Sequence, residues 1–134
     1  MITKEGILAV LQSDTYKPMS FKDLLNHMEV KSKRDRNEFK KIVDRMLSQG
    51  DVVKNKKGRY IIPPKDTYVK GTLQGHAKGF GFVIPEDAIS GNDIFISANN
   101  LNGALDKDKV LVKVIKKTDK RDEGEIFQVL ERGH

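Results

Sequence analysis

The sequence contains no cysteine and no tryptophan, and only 4 prolines among 134 residues. Without cysteine there is no disulfide, no thiolate metal site and no Cys nucleophile. No apolar run approaches the roughly 20 residues needed to cross a bilayer, so no membrane partner is expected. The opening residues Met1-Ile2-Thr3-Lys4-Glu5 lack the basic-then-apolar build of a signal peptide, which points to a cytoplasmic protein. Hydrophobic residues make up 37% and charged residues 33% of the chain. That is thin for one well-filled core but too apolar for disorder. The length suits one ordinary domain or two small ones.

Several kinds of chemistry are missing as well. No Gly-x-x-x-x-Gly-Lys loop is present to cradle a nucleoside triphosphate, and Gly79-x-Gly81 precedes no helix that would make it a dinucleotide site. His27, His76 and His134 are isolated from one another and lack partner ligands for a metal. Asp106-Lys107-Asp108 and the carboxylates from Asp119 to Glu125 are interleaved with Lys and Arg and read as solvated loops. The chain is therefore expected to hold no catalytic centre and no cofactor.

What is present is an uneven charge. Residues 1–64 carry 14 Lys and Arg against 8 Asp and Glu, whereas residues 65–134 carry 11 of each. The net charge of +6 thus belongs wholly to the first half. Such asymmetry implies two units with different tasks, one of which faces a polyanion.

Three stretches of the first half have helical spacing: Ile7, Leu8 and Leu11; Phe21, Leu24, Leu25 and Met28; and Phe39, Ile42, Val43, Met46 and Leu47. Ser20 with Asp23, and Ser32 with Asp35, are capping-box signals, and Gly50 stands where a left-handed C-cap is commonly glycine. Val52-Val53 and Tyr60-Ile61-Ile62 flank a Lys/Gly turn and read as a hairpin. Three short helices followed by a hairpin form the layout of a winged-helix domain over residues 1–64, with the third helix and the wing as its usual nucleic-acid contacts. Turning the apolar face of that helix inward presents Arg34, Asn37, Lys41, Arg45 and Ser48 outward. The wing adds Lys54, Lys56, Lys57 and Arg59, with no acid among residues 52–60. This mixture suits phosphate better than base edges.

After Pro63-Pro64 the period changes to alternation. Runs around Val69–Leu73, Phe80–Ile84, Asp93–Ile96, Lys109–Ile115 and Glu125–Leu130, with a turn signal at Ser90-Gly91-Asn92-Asp93, predict five strands closed into a small barrel over residues 65–134, which the resemblance given below implies is an OB-fold. The fold class is then α+β, with residues 97–108 as the longest connection, spanning one barrel end.

Lys78-Gly79-Phe80-Gly81-Phe82-Val83 matches the first six positions of the RNP1 signature. In a strand, Phe80 and Phe82 share one face, and bases can stack on such rings for about 1–3 kcal/mol each. The hexapeptide alone permits either an inward or an outward placement. Phe95 decides between them. With Ile94 and Ile96 inside, at about 2 kcal/mol per side chain, Phe95 must lie outside, and a bare three-ring surface of Phe80, Phe82 and Phe95 follows. Lys78, His76, Lys70 and Tyr68 complete the candidate RNA-binding set. An RRM would need helices between the strands and an aromatic residue where Pro85 stands.

These segments resemble the cold-shock family of OB domains, with Asp93-Ile94-Phe95-Ile96 similar to its second motif. Ser97 stands where that family usually has His. The order helical basic domain, Pro-Pro, OB domain resembles more closely the N-terminal region of the bacterial ribonuclease R family, along the whole 134 residues. Leu130-Glu131-Arg132-Gly133-His134 then looks like the connector to a second cold-shock domain. The resemblance implies a module that captures single-stranded RNA for a 3′-to-5′ hydrolytic exoribonuclease and assists with structured RNA. The family's catalytic divalent metal sits in a domain further downstream. Two other readings stay open: a stand-alone winged-helix DNA-binding transcription regulator, and an adaptor whose wing docks to a partner such as the ribosome or a helicase.

Overall fold

The computed structural model describes residues 2–87 and 93–133. Of the expected turn Ser90-Gly91-Asn92-Asp93 only Asp93 falls among them, and His134 lies outside them. The chain divides into two compact units, Met1–Pro63 and Pro64–His134.

In the first unit, α1 spans Lys4–Gln12, α2 Phe21–His27 and α3 Lys33–Ser48. Each begins on a hydroxyl cap, where Thr3, Ser20 and Ser32 accept from the N–H of Gly6, Asp23 and Asp35. Each cap satisfies a donor that the helix itself leaves unpaired. At the end of α3, Gly50 adopts φ +75°, the Gly50 N–H donates to Leu47 O and the Asp51 N–H to Met46 O. That pair of bonds is the Schellman closure, and the left-handed backbone it needs is open to glycine at little cost. Ile7, Leu11, Leu24, Phe39, Val43 and Met46 bury one stripe of each helix in a common core.

Strands β1 (Val53–Lys54) and β2 (Tyr60–Ile61) pair antiparallel and form a hairpin. Its tip is ordered by Asn55, whose Oδ1 accepts from the N–H of Lys57 and Arg59, and by Gly58 at φ +76°. Val52 and Tyr60 tie the hairpin to the helical core, so its lysines stand on an anchored base.

In the second unit, β3 (Tyr68–Gly75), β4 (Gly81–Pro85), β5 (Ile94–Ile96), β6 (Lys109–Lys117) and β7 (Asp122–Glu131) close a barrel in the order β3-β4-β5-β7-β6. All pairings are antiparallel except β5 with β7. The five-stranded closed barrel is OB-like. Its interior holds Leu73, Val83, Ile94, Ile96, Ala104, Val110, Val112 and Ile126. Where two strands come close, a side chain would not fit: a Cβ on Gly124 would meet Val112 Cγ1 at 2.6 Å.

Two expectations need correction. Phe80 precedes β4 rather than opening it, because its carbonyl accepts the His76 N–H at 2.8 Å and closes the β3–β4 turn. Asp108, read as part of a solvated loop, is fully buried. Its carboxylate accepts from the Leu105 N–H, the Gly133 N–H and the Arg132 guanidinium at 2.9, 2.9 and 2.7 Å. Asp106 is also structural, taking the Gly75 N–H at 2.9 Å. Together they fix the 97–108 connection, from which Leu101 and Ala104 pack on the barrel core.

Burial pushes the Asp108 carboxyl up, but its three donors together hold it below the ordinary carboxylate value. A depressed folded value stabilises the native state above the unfolded pKa of about 3.9, and that stability is lost as pH falls through the lower folded value. Asp108→Asn is predicted to destabilise the barrel by about 1–3 kcal/mol at pH 7, because one buried donor loses its acceptor. Urea unfolding followed by circular dichroism measures this. The difference from wild type narrows as pH drops below about 4, and an unchanged midpoint at pH 7 would contradict the assignment.

Candidate nucleic-acid interface

The alternation of β4 and β5 builds the site. In β5, Ile94 and Ile96 are 2% and 0% exposed, so Phe95 between them points away from the interior and is partly exposed. In β4, Gly81 and Val83 face inward and Phe82 outward. A Cβ on Gly81 would come within 2.9 Å of Leu73 Cδ1 and 3.0 Å of Gln74 O. The bare glycine therefore lets β3 approach, and it fixes the face on which its two phenylalanine neighbours emerge.

The three rings form a closed triangle. Phe80 and Phe82 lie 5.8 Å apart, Phe80 and Phe95 5.6 Å, and Phe82 and Phe95 5.6 Å, with tilted to edge-on geometry. Tilted and edge-to-face contacts of this kind hold the rings against one another. Phe82 and Phe95 are register partners across β4 and β5. The same cross-strand row continues to Gln74 on β3 and Glu123 on β7, so an amide and a carboxylate bound the ring pair.

His76 extends the set. Its ring stacks on Phe80 at 4.4 Å and 12°, and its Nδ1 accepts the Lys78 N–H at 3.1 Å. That bond requires Nδ1 to carry no proton. Gly79 turns the chain at φ +100°, its N–H donating to His76 O. The turn thus positions His76 and Phe80 together, with Lys78 exposed beside them.

Tyr68 and Lys70 are not brought to this cluster. Tyr68 stands at the opposite end of β3 from Gln74 and meets Phe127 edge-on at 5.2 Å. Lys70, two residues along β3, pairs with Leu111 of β6. Phe95, expected as a third bare ring, is capped: the Arg121 guanidinium carbon lies 4.0 Å over its centroid. Sequence reasoning missed Arg121, Gln74 and Glu123, because only strand register brings them to the rings.

In the first unit, Arg34, Asn37, Lys41, Arg45 and Ser48 are all exposed on α3. Lys54, Lys56, Lys57 and Arg59 are exposed on the hairpin, and Lys54 Nζ lies 5.4 Å from the Tyr60 ring. Among the described residues no group of three or more His, Cys, Asp or Glu side chains could hold a metal ion. No helix among the described residues is long and apolar enough to cross a membrane.

Residues 71–129 match the family described as the ribonuclease B OB domain. Ribonuclease R of Acidithiobacillus ferrooxidans is 30% identical over 133 residues, 98% of this chain and 29% of that protein. Ribonuclease R 2 of Lactococcus lactis is 51% identical over 69 residues, 49% of this chain and 10% of that protein. Among solved structures, Mycoplasma genitalium RNase R in complex with ribose methylated single-stranded RNA is 26% identical over 48% of this chain and 10% of its own, with a TM-score of 0.44. The chain spans less than a third of the length of each.

Proposed function

We propose that this chain, which matches the ribonuclease B OB domain over residues 71–129 and is similar to ribonuclease R along nearly its whole length, is the RNA-capturing module of a 3′-to-5′ exoribonuclease. The observation that carries the proposal is the half-buried triangle of Phe80, Phe82 and Phe95 on the outside of the barrel, with His76 stacked at its edge. A small barrel gains nothing by keeping aromatic rings in water, and a cluster of such rings is a base-stacking platform. Single-stranded RNA offers unpaired bases to it; a duplex keeps its bases stacked inside.

Residues 65–134 supply sequence-tolerant stacking. Residues 1–64 act as a winged-helix domain whose α3 face and hairpin cations neutralise phosphates and release counterions. Three helices and an anchored hairpin support that reading, as does the exposure of Arg34, Lys41, Arg45, Lys54, Lys56, Lys57 and Arg59. Structured RNA is opened passively: strands that fray are trapped by stacking and phosphate contacts, which offset the broken pairing. Hydrolysis belongs to another part of the parent enzyme.

Replacing both Phe80 and Phe82 by alanine is expected to weaken binding to an unstructured RNA oligonucleotide at least about tenfold, because each missing stack is worth about 1–3 kcal/mol. Fluorescence anisotropy reads the affinity and circular dichroism checks the fold. Undiminished affinity in a folded variant would remove the platform. Replacing Lys54, Lys56, Lys57 and Arg59 by glutamine should lower the slope of log K against log salt by up to about 0.7 for each single-strand phosphate that is no longer neutralised. An unaltered slope would assign the hairpin to a different partner.

A further inference from the structure

We infer that Arg121 is a backbone-phosphate contact of the same site, its guanidinium seated on Phe95 so that its N–H edge meets the phosphate next to a base stacked on Phe82. The inference rests on the ring platform binding RNA and adds a residue and a division of labour among the rings.

Arg121 comes from the turn between β6 and β7, where Thr118 Oγ1 donates to Arg121 O at 2.6 Å and accepts the Arg121 N–H at 3.0 Å. These bonds hold the backbone of the arginine at the start of β7. Its guanidinium then lies over the Phe95 ring, 4.0 Å from the centroid. A planar cation over an aromatic face is attracted by the ring quadrupole. A guanidinium that stacks on a ring keeps its in-plane N–H donors for other partners. Among the described residues none of those donors has a hydrogen-bond or ion-pair partner. Held in orientation by a ring, with its fork unsatisfied, the side chain is set for the bidentate geometry that a phosphate offers.

The surroundings agree. Glu123, at the end of the ring row, is in register with Lys116 across β6 and β7. Asp122 is likewise in register with Lys117. Phe95 and Phe82 are on adjacent strands, about 4.8 Å apart, so the Arg121 fork lies about one strand from the ring on which a base would stack. The arrangement divides the three rings. Phe82, and the His76 ring stacked on Phe80, offer faces to bases, while Phe95 serves as the seat for the cation that holds the connecting phosphate.

The test uses the whole chain, an unstructured RNA oligonucleotide and a salt series. Arg121→Ala is expected to weaken binding about tenfold, the size of one charge-assisted hydrogen bond, and to lower the salt slope by about 0.7. Arg121→Lys should recover the slope but only part of the affinity, since an ammonium neither forks nor stacks as a plane. Adding Phe95→Ala to Arg121→Ala should cost less than Phe95→Ala does alone, because the seat has no further use once the cation is gone. If Arg121→Ala leaves affinity and slope unchanged while the Phe80/Phe82 double variant still binds weakly, the platform stands and this inference falls. Tighter binding by Arg121→Ala would also overturn it, identifying the arginine as a shield that bases must displace. If neither variant changes binding, the platform reading itself has failed and takes the inference with it.

Discussion

The structure depends on how little space a five-stranded barrel encloses. Eight aliphatic side chains fill the interior of this one, and close packing leaves no room for three phenyl rings besides. Strand alternation then acts as a sorting rule. In β5 the residue flanked by two buried aliphatics points away from the interior: Phe95, between Ile94 and Ile96. The same rule, applied through the bare Gly81, sends Phe82 outward and brings β3 close enough to complete the sheet. The aromatic surface is therefore a consequence of filling the core economically, and it leaves the molecule with a sticky face suited to flat, unpaired bases.

Around that face the fold separates rigidity from recognition. The 97–108 connection, which closes the barrel end, is fixed by two carboxylates that accept from the protein's own donors: Asp106 takes a β3 amide, and Asp108 takes Leu105, Gly133 and Arg132. Asp108, fully buried, presents no charge to a polyanion. The cations nearest the rings, Lys78 and Arg121, are by contrast left with their donors free among the described residues. In the first unit the hairpin follows the same logic: Asn55 and Gly58 order the tip, and the lysines it carries stay in water.

Much of this was legible in the sequence where the signal is local. Ser20 and Ser32 mark helix starts, Gly50 marks a helix end, and the change from helical to alternating period after Pro63-Pro64 separates the two units. Ile94 and Ile96 were enough to orient Phe95. What was not legible depends on register between distant segments. Asp108 sits in a charge-alternating loop indistinguishable from a solvated one until the Gly133 amide and Arg132 return to it. Arg121 reaches Phe95 only because β5 and β7 pair in parallel, a neighbourhood that leaves no trace in local pattern. Tyr68 shares the outward alternation of Gln74 on β3, yet the length of the strand carries it to Phe127 instead of to the ring triangle.

The central claim, that the outer rings of the barrel are where RNA bases lie, is tested most directly by nuclear Overhauser effects between a short unstructured RNA and the protein. The account predicts contacts from base protons to the ring protons of Phe80 and Phe82, with the His76 ring protons shifting on binding. Contacts confined to residues 1–63, with the Phe80, Phe82 and His76 resonances unmoved at saturation, would contradict it.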